Sequence, residues 1–501
     1  MRRPLANVFT LVAAGLGLAC LCSCGPHPTS PSKQTLPAET LLIIPHPKSL
    51  RLTHTRLRID GKTRLVLRPG AGPLDRMAAL SVQSELHEHF GLPRLAIIMS
   101  DAAKISGTTI AFGESGSAKH PEGYQLHIGP SGVVISGHDP HGTFYGAQTL
   151  CQMFAKDAHE TFLPSAEIDD YPALPWRGAH LFVGNHALPF HEKLIGRVFA
   201  RLKLNNLVLQ CEQAKWDTLG KAAPPWAMSK KDLKTEIAFA RRYGMTVTPL
   251  VNSVGHMPWL FTDPANLRMA EDPQTPYAAF VADQQTDRFL FRLHDEVLDT
   301  FHSDSLHIGG DEVTQRGRYP YRSLGACPTV ARAFVTHVTR LHDHLKARGV
   351  RTLLWSDMLL APGEALDAAN APTPLQAAEM RRRLPKDIVL TDWHYTPDGP
   401  YPSPARLQKA GFGPVIGATC SIPKNITHFS RTLADGGQRG LLQTTWAGYN
   451  SSEANFLHEK RQFVAFVLAA ECAWNGGRID PQHLPYDPAK VFDTLYGAAG
   501  R

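Results

Sequence analysis

The chain has 501 residues, with 52 Lys and Arg against 45 Asp and Glu and a formal net charge of +7. That length exceeds what one compact core of ordinary size holds, so two domains are expected. The basic residues are scattered, without blocks or interleaved aromatics, which excludes a nucleic-acid-binding design.

In chain order, Arg2 and Arg3 precede an apolar stretch from about Val8 to Leu21, too short to span a membrane comfortably and followed by small residues. It reads as an export signal. Leu21-Cys22-Ser23-Cys24-Gly25 resembles a bacterial lipobox, which implies that Cys24 is lipidated and that the mature protein is anchored to a membrane of the cell envelope, periplasmic or outer-surface. The alternative is an ordinary signal peptide cut near Cys24. Residues 25–40, rich in proline and small polar residues, are expected to form a flexible linker. Cys151, Cys211, Cys327, Cys420 and Cys472 remain, odd in number and widely spaced, which is neither a disulfide framework nor a metal-ligand pattern; one pair oxidised after export stays open.

A smaller α/β domain is expected over 41–170. Leu41 to Ile44 is an apolar run stopped by Pro45 and Pro47, Leu57 to Ile59 and Thr63 to Leu67 read as strands, and Ala78 to Phe90 repeats at helical spacing up to Gly91. Tyr124 to Ile128 and Val133 to Ser136 flank Gly129-Pro130-Ser131-Gly132, a hairpin signal, and Gly142 to Leu150 opens a helix. His138 and His141 lie beside Asp139, but loop histidines next to proline are usually solvated, and no metal site is expected.

From 171 to 501, short apolar strands alternate with helical stretches. The strands are Ala179 to Val183, Leu207 to Cys211, Thr246 to Val251, Ser305 to Ile308, Thr352 to Trp355, Ile388 to Thr391, Val415 to Ala418 and Leu441 to Thr445; Lys193 to Leu202, Lys231 to Tyr243 and Val330 to Arg348 read as helices. Eight such units predict a TIM (β/α)8 barrel, preceded by the smaller α/β domain. Polar and aromatic residues cluster at the strand ends: Asn185, Glu212, Asn252, His256, Asp311, Glu312, Trp355, Trp393 and Trp446. A lone tryptophan is usually core, but three at strand ends, beside carboxylates and amides, suit a pocket for a sugar ring.

The densest signal is Leu306-His307-Ile308-Gly309-Gly310-Asp311-Glu312-Val313. A buried strand meets two glycines that permit a sharp turn, then two carboxylates at the strand's C-terminal end, where parallel α/β folds carry their active sites. Paired carboxylates in a cleft can titrate apart, one as acid and one as base. The bland alternative is that Asp-Glu caps the next helix.

His307-x-Gly309-Gly310-Asp311-Glu312 resembles the signature of family-20 glycoside hydrolases, the β-N-acetylhexosaminidases. The likeness extends over most of 41–480: Glu122-Gly123-Tyr124 to Gln148-Thr149-Leu150, Trp176-Arg177-Gly178, Lys203-Leu204-Asn205, Ala240 to Pro249, Val254-Gly255-His256, Trp355-Ser356-Asp357-Met358, Trp393 and Trp446. It implies substrate-assisted retention, with Glu312 as general acid and then base, Asp311 orienting the acetamido group, His256 supporting them, and Trp355, Trp393 and Trp446 shaping the pocket. No cofactor is implied. The substrate would be a glycan ending in N-acetylglucosamine or N-acetylgalactosamine.

The chain departs from that pattern in several places. Asn185 stands where the family's sugar-gripping arginine is usual, Gln210-Cys211-Glu212-Gln213 replaces a paired acid, with Glu212 as the candidate substitute, and Leu250 follows Pro249 where an acid is usual. Gly448 falls where the family has an acid after the last pocket tryptophan, and no tyrosine is evident for the acetamide. The same mechanism on a disaccharide-releasing or sulfated-sugar substrate therefore stays open, as does a non-catalytic, glycan-binding lipoprotein on a decayed barrel.

Overall fold

The computed structural model describes residues 41–113, 118–448 and 450–497. The expected export segment with Cys24, the expected linker to residue 40 and the last four residues lie outside them. Residues 41–501 form one compact unit. No helix among the described residues is long and apolar enough to cross a membrane.

The first layer is a mixed sheet. Its strands are β1 (Ser49–Ile59), β2 (Arg64–Leu67), β3 (Ile97–Met99), β4 (Thr109–Phe112), β5 (Tyr124–Gly129), β6 (Gly132–Gly137), β7 (Ala155–Lys156) and β8 (Thr161–Asp170), ordered β1-β8-β5-β6-β4-β2-β3 with β7 beside β8. The expected hairpin is present, with Gly129 paired to Gly132. Alternation sets the faces: Tyr124, Leu126 and Ile128 are buried under helices α1 (Pro73–Phe90) and α2 (Pro140–Cys151), while Gln125 and His127 point away. Helix α1 begins a full turn before the expected Ala78, because Pro73 occupies its first turn and Asp75 accepts the Gly72 N–H at 2.9 Å. The run 41–44 is no strand; Ile43 and Ile44 are buried, and Gln152 bonds both the N–H and the carbonyl of Ile44. His138 and His141 each spend a ring nitrogen on a backbone carbonyl, of Ala118 and Gly244.

Eight parallel strands then close a barrel: β9 (Trp176–Phe182), β10 (Asn206–Gln210), β11 (Thr246–Leu250), β12 (Ser305–His307), β13 (Arg351–Trp355), β14 (Val389–Trp393), β15 (Ile416–Thr419) and β16 (Gly440–Gln443), with β16 pairing back to β9. All eight expected strands are present. Val208, Leu250, Leu353, Ile416, Ala418 and Leu442 fill the interior. The helix expected over Lys193 to Leu202 starts earlier, at Leu188, and loosens into a π-helical stretch over Leu194–Phe199. The five described cysteines are free.

The sheet and the barrel share a buried charged seam. Arg177, wholly buried on β9, donates to Glu122 at 2.7 Å and to the Lys203 carbonyl at 2.9 Å. Lys203, also wholly buried, donates to Asp170 at 3.2 Å and to the Tyr124 hydroxyl at 3.0 Å, and its ammonium lies 4.4 Å from the ring centre of Trp474. Trp474 in turn donates its indole N–H to Asp170 at 2.9 Å. Removing one member of a buried pair leaves an uncompensated charge, which costs about 3–5 kcal/mol. Lys203→Met should therefore lower unfolding stability in urea by about that amount. A loss below about 1 kcal/mol, the range of an exposed pair, would contradict the seam's role.

Candidate active site

The site is built at the C-terminal ends of the barrel strands. Beyond β12 the backbone enters the left-handed region twice, at Gly309 (φ 71°) and Gly310 (φ 93°). A β-carbon on Gly309 would collide with Asn252, and one on Gly310 would lie 2.5 Å from Leu354 Cδ1, so this turn excludes side chains. The Gly309 N–H donates to His307 Nδ1 at 3.1 Å, and its carbonyl accepts the Trp355 N–H at 3.0 Å. The turn delivers Asp311 and Glu312 to the barrel mouth. The next helix starts only at Val330 and is capped by Thr329, so the pair does not cap it.

Glu312 itself has φ 49°, a conformation that costs a non-glycine residue about 1–3 kcal/mol and persists only where neighbours enforce it. Its backbone N–H donates to Asp357 Oδ2 at 2.9 Å. Asp357, fully buried behind the site, also accepts from Asn370 Nδ2 at 2.9 Å. Burial, followed by the charge of Asp311, pushes the Asp357 carboxyl up to about 7.

His256, likewise strained at φ 51°, bridges the pair: its Nε2 lies 3.4 Å from Asp311 Oδ2 and 3.4 Å from Glu312 Oε2. Burial disfavours the imidazolium, but the charges of Asp311 and Glu312 outweigh it, and the His256 pKa rises. Asp311 is raised by burial, against the opposing pull of His256, and raised further by Glu312. Below them, burial holds His180 down at about 4 and His307 at about 3, so both stay neutral hydrogen-bonding groups in the barrel.

Two adjoining recesses open here. One, of about 150 Å³, is lined by Glu312, Trp393 and Tyr395; the other, of about 210 Å³, by Phe182, Gln210, Asn252 and Gly448; His256, Asp311, Trp355 and Trp446 line both. Each is smaller than the about 300–1,000 Å³ of a drug-sized pocket. Trp355 and Trp446 meet at 6.4 Å between ring centres, and Trp393 and Tyr395 at 5.0 Å. The Trp446 indole donates to the Tyr395 hydroxyl at 2.9 Å. A larger depression, about 750 Å³, runs along the helix Lys230–Arg242, but it is an open basic shelf far simpler in chemistry, lined by lysines and Arg242 without an acid.

The structure thus brings together Glu312, Asp311, His256, Trp355, Trp393 and Trp446. Two expected residues are placed otherwise. Asn185 is exposed on the loop after β9, its backbone N–H bonded to the Trp226 carbonyl at 2.9 Å, and it is not among the described residues lining either recess. Glu212 is buried behind the lining and accepts from Gln210 at 2.8 Å and Asn252 at 3.0 Å, so the polar groups that reach the recess are those two amides. Tyr395, missed in the sequence, lies two residues beyond Trp393, and the two-residue period that points Trp393 inward points Tyr395 inward as well. Gly448 has φ 93°, and among the described residues, its chain neighbours apart, no atom lies within 4 Å of where a β-carbon would stand.

Residues 40–171 match glycosyl hydrolase family 20, domain 2, and residues 174–396 match the glycosyl hydrolase family 20 catalytic domain. The chain is 26% identical over 288 residues to a lacto-N-biosidase of Bifidobacterium bifidum, covering 54% of this chain and 24% of that protein. It is 24% identical over 503 residues to a beta-hexosaminidase of Porphyromonas gingivalis, covering 86% of this chain and 60% of that one. It spans less than two thirds of the length of both. Among solved structures, the N-acetyl-beta-hexosaminidase of Streptomyces plicatus in complex with Thio-NAglucal superimposes with a TM-score of 0.69 at 19% identity, over 91% of this chain and 94% of that one. A Flavobacterium johnsoniae chitobiase gives 0.71 at 14%, over 93% and 74%. These likenesses match the barrel and its accompanying sheet.

Burial pushes the Glu212 carboxyl from its ordinary 4.5 up to about 7, although the bonds from Gln210 and Asn252 oppose it. An acid with a raised folded pKa contributes stability below its unfolded value, and that contribution is lost as pH rises through the folded one. Between about pH 4.5 and 7, Glu212→Gln should therefore gain steadily in melting temperature relative to the parent. A pH-independent difference would show that the carboxyl is not desolvated as described.

Proposed function

Because the chain belongs to glycosyl hydrolase family 20, we propose that it is an exo-acting β-N-acetylhexosaminidase that removes terminal N-acetylglucosamine or N-acetylgalactosamine from glycans by a substrate-assisted, retaining reaction. The observation that carries this reading is the carboxylate pair, bridged by His256, at the rim of a small recess walled by Trp355, Trp393, Trp446 and Tyr395. Indole and phenol faces suit the apolar faces of a sugar ring, and the close walls exclude water.

In the first step the substrate's own acetamido oxygen bonds to C1 as the glycosidic C1–O bond breaks, and the Glu312 carboxyl gives its proton to the departing oxygen. Asp311 accepts the acetamido N–H and offsets the positive charge of the oxazolinium intermediate. In the second step Glu312, now a carboxylate, takes a proton from water as the water oxygen bonds to C1 and the bond from C1 to the acetamido oxygen breaks, restoring the acetamido group. The two inversions give overall retention. His256, 3.4 Å from both carboxylates, positions them and counters the burial that disfavours Asp311's charge. Leu21-Cys22-Ser23-Cys24 supports export and a lipid anchor at Cys24.

A second reading keeps the mechanism and enlarges the substrate. The open space beside Gly448 and the uncharged lining of Gln210 and Asn252 leave room for a substituent on the bound sugar, such as the second ring of a released disaccharide. A glycan-binding role without hydrolysis is disfavoured, because a binder has no use for a strained Glu312 held beside a bridging histidine.

The test is hydrolysis of 4-nitrophenyl 2-acetamido-β-glycosides. Glu312→Gln should lose about 10²–10⁴-fold in kcat while keeping affinity for the sugar, and Asp311→Asn should also fall steeply. Cleavage of an aryl disaccharide with none of the monosaccharide would replace the first reading by the second. Sugar binding without any turnover would leave the binder.

A further inference from the structure

Between the two recess residues Trp393 and Tyr395 stands His394, whose side chain turns the other way, into the protein. Its Nδ1 lies 2.5 Å from Asp367 Oδ1, and its Nε2 lies 2.7 Å from Ser403 Oγ. The Ser403 hydroxyl gives its proton to Asp392 Oδ2 at 2.6 Å, so toward His394 it can only accept. Nε2 and Nδ1 must then both donate, which makes the ring an imidazolium set between Asp392 and Asp367, with Tyr401 and Phe429 packed on it. Consistent with this, the His394 pKa is raised to about 9: burial opposes the charge, but Asp392 and Asp367 prevail.

Asp367 does more than pair with His394. Its second oxygen accepts the backbone N–H groups of Tyr395 at 2.6 Å and Thr396 at 2.9 Å. One carboxylate therefore holds three consecutive residues, 394 to 396, from the side opposite the recess. Asp367 belongs to the loop that leaves β13, whose Asn370 also bonds Asp357, the residue that fixes the Glu312 backbone. The same loop thus registers the aromatic wall and the proton donor against each other.

We propose that Asp367 and His394 are positioning residues, a charged latch of a half-buried carboxylate and a buried imidazolium that sets the Tyr395 hydroxyl and the Trp393 ring against the acetamido end of the substrate. The inference rests on the hydrolase reading above for its substrate, while the latch itself rests on the contacts. Neither residue touches the substrate; both act through Tyr395.

A double-mutant cycle tests it in the full chain, with 4-nitrophenyl N-acetyl-β-D-glucosaminide as substrate. Misplacing a positioned group by about 1 Å costs about 100-fold, so Asp367→Asn should lower kcat/KM by about that factor. Tyr395→Phe should lower it too, and the double variant should be little worse than the poorer single one, because both act on one hydroxyl. Multiplying losses would overturn the latch. So would a crystal structure of Asp367→Asn in which the Tyr395 hydroxyl still accepts from the Trp446 indole at an unchanged distance. Should Asp367→Asn not fold, His394→Gln carries the same two readouts. If the parent protein cleaves no 2-acetamido glycoside, the proposed function fails by itself, and the crystal structure still decides the latch.

Discussion

A backbone that must pass Asn252 with no room for a β-carbon is the constraint on which the rest of this site depends. Because Gly309 and Gly310 turn where a side chain would collide, Asp311 and Glu312 leave the barrel wall together and end at its mouth. Two further strained residues, His256 and Glu312, face each other across 3.4 Å. Left-handed φ at non-glycine residues persists only when surroundings dictate it. Here the dictating group for Glu312 is Asp357, a buried carboxyl that accepts the Glu312 backbone N–H.

The loop after β13 emerges as the organiser of the site. Through Asp357 it fixes Glu312, through Asn370 it bonds both Asp357 and Gln315, and through Asp367 it grips the segment that carries Tyr395. A carboxylate and an aromatic wall that come from different strands are thereby tied to one short piece of chain. Rigid registration of this kind is what the proposed reaction would need, because there the substrate's own acetamido group must fold back onto C1.

Much of this was legible in the sequence. The eight strands announce themselves as apolar runs ending in polar residues, the glycine pair marks the turn, and the three tryptophans fall where strand ends place them. What was not legible depends on direction in irregular backbone. Asn185 and Glu212 lie past the ends of β9 and β10, where loop dihedrals rather than a two-residue period decide where a side chain points; one faces outward and the other sits behind Gln210 and Asn252. Tyr395 continues the period of Trp393 past the end of β14, whereas Glu212, equally far past Gln210 at the end of β10, does not, so the period alone does not decide such positions. The bond between Glu312 and Asp357 joins residues 45 apart, and no local pattern encodes it.

The seam around Lys203 has a consequence for how the molecule is made. Its partner Asp170 is met by Trp474 from 304 residues further along the chain, so the ammonium's surroundings are completed only by a contact of very high sequence separation. Closing so long a loop is slow, and until it closes the first barrel strands keep a hydrated cation where the finished protein has none. Burial of that cation is thereby tied to a distant contact, whose closure costs more chain entropy than the local contacts of the same strands.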